Sequence, residues 1–173
     1  GHAGPYNGAV DPSLRQNAHD TRQYSVMSYF NPQDVGGQAN YNLNGVNYYS
    51  QTPMLDDILA VQSIYGAPPR ITAATTFGFN ATATLPQEYN FNLDQIPIVT
   101  LYGGSTNGQS NMLDLSGFST SATVDLNPGA FSSCAGLTDN VCIGYGTSID
   151  NVIGTTGGTT FVANGDSLSL IHI

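Results

Sequence analysis

The chain has 173 residues, long enough for one good core or two small ones sharing an interface. Twelve acidic residues face three arginines and no lysine, for a formal net charge of −9. So few cations exclude nucleic acid and an anionic membrane surface as partners, and no apolar run approaches the roughly 18 residues of a membrane span.

Residues 1–50 are dense in turn formers: Asn7-Gly8, Asn31-Pro32, Gly36-Gly37 and Asn44-Gly45. Little regular structure is expected there beyond a short segment at Arg22–Tyr29. Residues 1–10 have neither the charged start nor the apolar stretch of a signal peptide.

A helix is predicted over Pro53–Tyr65. Thr52 is placed to cap it, Pro53 suits its first position, and Asp56 and Asp57 suit its first turn. Met54, Ile58, Val61 and Tyr65 recur at helical spacing, and Leu55 and Leu59 widen that apolar face. Gly66 and Pro68-Pro69 end it.

Beyond Arg70 the pattern changes to short β segments between glycine-rich turns. The candidates are Ile96–Tyr102, Met112–Leu115, Ala122–Leu126, Val141–Tyr145, Ile149–Ile153, Thr160–Ala163 and Leu168–Ile173. The change falls near residues 67–72. It divides the chain into residues 1–68 and an all-β module, sandwich or roll, over 69–173. Cys134 and Cys142 bracket a turn-rich loop; they can close it as a disulfide or stand as two small buried residues on facing strands. With no second Cys or His nearby, they make no zinc site.

Several blocks, in order, resemble the serralysin family, secreted bacterial zinc endopeptidases of the metzincin clan. His2-Ala-Gly-Pro-Tyr-Asn7 is similar to the last histidine of H-E-x-x-H-x-x-G-x-x-H and the loop leaving it; the rest of that motif would precede residue 1. Asp20-Thr-Arg-Gln-Tyr-Ser-Val-Met-Ser-Tyr29 resembles the methionine turn, and Thr52–Gly66 the last helix of the protease domain. Phe77-Gly-Phe-Asn80, Leu113–Phe118, Asp125–Ser133 and Ile149–Gly154 resemble the C-terminal β domain.

The resemblance implies an α+β chain: the C-terminal subdomain of a metzincin-like protease domain, followed by a β-sandwich or β-roll. It implies His2 as a zinc ligand, Met27 as an apolar floor beneath the metal, and Tyr29 as a weak, switching ligand that donates to the oxyanion. It also implies a polypeptide substrate, extracellular location, and the missing N-terminal protease fragment as a partner.

The departures matter as much. No H-E-x-x-H occurs, and the one glutamate, Glu88, has no histidine near it, so two ligands and the general base are lacking and the chain alone is expected to be inactive. The family's G-G-x-G-x-D-x-U-x repeats cage calcium. Here Thr159 and Asn111 stand where aspartates are expected, leaving Asp114 as a calcium candidate, and Arg70-Ile-Thr-Ala-Ala replaces an Arg-Thr-Gly-Asp loop. Calcium is expected to bind weakly. His19 and His172 match no family ligand and read as surface or structural histidines. The second functional reading is a non-catalytic secreted β-module with a role in secretion, stability or binding.

Overall fold

A computed structural model describes residues 11–66, 73–103, 110–165 and 169–171. Residues 11–50 are, as their turn formers predict, mostly irregular. Short 3-10 turns occupy Pro12–Leu14 and Pro32–Val35. The Asn44-Gly45 pair, both at positive φ, closes a hairpin of β1 (Asn42–Leu43) and β2 (Val46–Asn47).

Helix α1 spans Leu55–Tyr65, two residues later than its sequence pattern suggests. The cap is Met54, not Thr52. The Thr52 hydroxyl accepts instead from the Thr100 amide at 2.9 Å, and Asp57 accepts from the Met54 amide at 2.9 Å. The expected apolar face is also only partly buried. Met54 and Leu55 are buried, whereas Leu59, Val61, Ile64 and Tyr65 face outward.

The remaining strands are β3 (Thr76–Gly78), β4 (Val99–Leu101), β5 (Met112–Asp114), β6 (Ala122–Asp125), β7 (Phe131–Ser132), β8 (Val141–Ile143), β9 (Asn151–Ile153), β10 (Thr159–Val162) and β11 (Ser169–Ile171). Their pairing is mainly parallel. One sheet runs β11-β9-β5-β3, all parallel; β10 pairs with β6, and β4 with β8, also parallel. Among β3–β11, the described antiparallel strand pair is β7 with β8. Elsewhere the chain returns to these sheets in the same direction, and among the described residues no α-helix lies between β3 and β11. Both faces of these strands are covered, so every residue of Val99–Leu101 and Val141–Ile143 is buried, the polar Thr100 included.

The interior holds Phe77, Phe79, Phe91, Leu101, Leu113, Phe118, Leu126, Ile143 and Ile149 among others. Phe79 meets Phe118 edge-on with ring centres 4.9 Å apart, and Phe77 meets Tyr89 similarly at 5.3 Å. Gly78 is required at its place: its φ is +95°, and a Cβ would run into the Asp114 carbonyl. A second cluster of Ala39, Tyr41, Met54, Ile98 and Leu137 joins the N-terminal segment to the β body. Polar ties reinforce that seam. The Gln51 amide donates to the Ile98 carbonyl at 2.9 Å, and the Gln62 side chain donates to the Tyr102 hydroxyl at 2.8 Å.

Candidate functional site

The loop carrying Met27 is moored to the start of α1 by that helix's two acids. Asp57 accepts from the Ser25 hydroxyl at 2.6 Å, the Val26 amide at 2.9 Å and the Met54 amide at 2.9 Å. The Asp56 amide donates to the Tyr24 carbonyl at 2.9 Å, and its carboxylate lies 3.1 Å from His19 Nδ1. The His19 ring stacks on Tyr24 at 3.9 Å, nearly parallel, and Tyr24 meets Phe131 edge-on. Two carboxylates at a helix N-terminus are favoured by its dipole, so the arrangement satisfies the helix and the loop together.

Within the loop, the Ser28 hydroxyl donates to Asp20 at 2.8 Å, and Met27 takes the outermost position. Met27 was expected as an apolar filler. It is 52% exposed. It borders a shallow cavity of about 260 Å³ with His19, Asp20, Ser25, Ser28 and Asp56. Tyr29 is half-buried, next to the fully buried Phe30. His2 and His172 lie outside the described residues.

Among the described residues, no three His, Cys, Asp or Glu side chains converge on a point. That donor set does not fit a zinc ion, which needs three protein ligands beside its water. Cys134 and Cys142 do not form the disulfide that their spacing allows. Both are buried free thiols. In the β7–β8 register Cys142 faces Phe131, while Cys134 lies beyond the pairing, bonded through its amide to the Asn140 side chain at 2.9 Å. Several residue steps along the ladder separate the two sulfurs, too far for a bridge. Burial pushes both thiols up to about 12, so neither serves as a thiolate ligand or nucleophile at neutral pH.

Asp114, the calcium candidate, is buried at the end of β5. Its carboxylate accepts from the Asn80 side chain and the Ser116 amide, each at 2.9 Å. A separate cavity of about 440 Å³ is lined by Gln51, Gln87, Glu88, Leu93 and Asp94. There, burial raises the Asp94 pKa and Glu88 adds to the rise, while the Ile96 amide partly offsets both. Sequence reasoning missed this pairing, and also the His19–Asp56 contact. His19 and Asp56 lie far apart in the chain, and the burial that raises the Asp94 pKa depends on tertiary packing, so no local pattern signals either.

Residues 70–171 match the family described as Peptidase M10 serralysin C terminal. Metalloprotease AprA of Pseudomonas entomophila is 34% identical over 167 residues, covering 94% of this chain and 33% of that protein. Serralysin A of Dickeya chrysanthemi is 35% identical over 158 residues, covering 90% of this chain and 31% of that protein. Serralysin of Photorhabdus luminescens is 33% identical over 169 residues, covering 94% and 33%. The chain thus spans about a third of the length of the curated relatives it matches. No helix among the described residues is long and apolar enough to cross a membrane. With residues 70–171 matched by that family model, this chain belongs to the Peptidase M10 serralysin C-terminal family.

Proposed function

We propose that this chain is the rear part of a secreted zinc endopeptidase, whose remaining metal ligands and general base come from polypeptide upstream of residue 1. The observation that supports this reading is exposed apolar surface: Met27 stands half-exposed on a loop pinned by Asp57, and Val61, Ile64 and Tyr65 of α1 are 55%, 71% and 82% exposed. A segment held by four polar contacts to a helix start, yet offering its apolar tip to solvent, is suited to being covered. The relatives named above are metalloproteases about three times as long, which leaves ample chain for such a cover.

In this reading residues 1–68 complete a protease domain and residues 69–173 form a β-roll behind it. His2 would be the third zinc ligand, Met27 would floor the site, and Tyr29 would be a weak, switching ligand whose hydroxyl donates a hydrogen bond to the substrate oxyanion. Zinc, when bound, supplies the Lewis acid and the activated water. The segment Asn40–Tyr49, with its β1–β2 hairpin, borders the groove that receives an extended peptide.

The Tyr29 role is tested by Tyr29→Phe in the protein extended upstream to its zinc motif. Cleavage of a casein peptide should lose about 10²-fold in kcat with KM and zinc content nearly unchanged, the pattern of a contact made only in the transition state. An unchanged kcat would remove Tyr29 from the chemistry.

A further inference from the structure

The family's repeats imply calcium, and among the described residues the donor groups at the substituted positions do not fit it. Asn111, only 3% exposed, stands where an aspartate is expected. Its side-chain nitrogen donates to the Ser148 carbonyl at 2.9 Å, a contact no carboxylate can make. Its backbone amide donates to the Asp150 carboxylate at 2.9 Å, and its carbonyl accepts from the amides of Asp150 and Asn151 at 2.9 and 3.0 Å. One neutral residue thereby ties the start of β5 to the approach of β9.

Thr159, at the other substituted position, closes the turn before β10. Its hydroxyl accepts from the Thr155 amide at 2.8 Å, and the Thr155 hydroxyl donates to the Gly158 carbonyl at 3.1 Å. The packing there is tight: a Cβ on Gly154 would come within 2.7 Å of the Thr159 hydroxyl. Calcium needs six to eight oxygens at roughly 2.3–2.6 Å. The nearby acids face N–H donors instead. Asp114 receives Asn80 and Ser116, Asp125 receives the amide and side chain of Asn127, and Asp150 receives Asn111.

We infer that the β body of this chain is held closed by neutral side-chain hydrogen bonds, with Asn111 and Thr159 as the pins, and folds independently of divalent cations. The inference does not depend on the protease reading and survives if that reading fails.

Thermal unfolding of the 173-residue chain in EDTA and in millimolar calcium chloride tests it directly. The two melting temperatures should agree to within about 1 °C, less than the shift from 1 kcal/mol; a calcium-dependent rise of several degrees overturns the inference. Thr159→Val should lower Tm by about 3 °C or more while Thr159→Ser keeps it, since only the hydroxyl is needed. Equal melting of all three would remove Thr159 as a pin. Asn111→Asp should lose Tm that calcium does not restore; restoration would show a latent calcium cage. Should the variants fail to fold, the comparison on the unaltered chain still decides.

Discussion

Asp94 is the residue whose setting departs most from what its sequence neighbourhood suggests. One of its carboxylate oxygens is shut off from solvent with no hydrogen-bond partner, and burial raises its pKa. A carboxyl whose folded pKa exceeds its unfolded value prefers the protonated form when folded. Its ionisation therefore costs stability as pH rises above the ordinary carboxylate range, and the cost vanishes at pH values below it. Asp94→Asn should consequently raise Tm at pH 7, and the gain should shrink as pH falls toward 4. A gain that is constant with pH, or a loss at pH 7, would mean the charge is not strained. Asp57 is the opposite case. Its two oxygens are fully engaged by Ser25, Val26 and Met54, so the same residue type is satisfied at one site and costly at another.

At the scale of elements, α1 separates what sequence reveals from what it hides. Its existence, its acidic first turn and its stop at Gly66 were legible, because caps and 3.6-residue spacing are local signals. Its start was misread, since Thr52 is drawn to the β4 strand by a contact 48 residues away. Seven β segments lay close to their predicted positions, whereas Thr76–Gly78 and Phe131–Ser132 went undetected as strands, being too short to show alternation. Parallel pairing was not legible either: strand direction depends on partners far along the chain. Met27 and Tyr29 stand out in the sequence as a motif, but the network of Asp56, Asp57 and His19 that moors their loop does not. Burial of the outer face of α1 was predicted from the same periodicity and is absent here. Ile64→Glu tests the reason. In this chain alone the change should move stability by less than about 0.5 kcal/mol, as for other surface positions. In the upstream-extended protein it should cost about 2 kcal/mol or more by burying a charge. Equal, small effects in both would mean that the face stays open.

For the molecule as a whole, two clusters of buried side chains share the load. One fills the wound β body, and the other clamps residues 39–54 onto it through Ile98 and Leu137. The β body is thus a platform that presents α1 and the Met27 loop, each with exposed apolar side chains among the described residues. The claim that this platform belongs to a zinc endopeptidase is tested by one comparison: zinc content and peptide cleavage of the 173-residue chain alone, of the upstream-extended protein, and of the latter with His2→Ala. The account predicts no cleavage by the chain alone, one zinc and chelator-sensitive cleavage by the extended protein, and loss of both with His2→Ala. Cleavage by the chain alone, or an extended protein that neither holds zinc nor cuts, would contradict it and leave a non-catalytic β module.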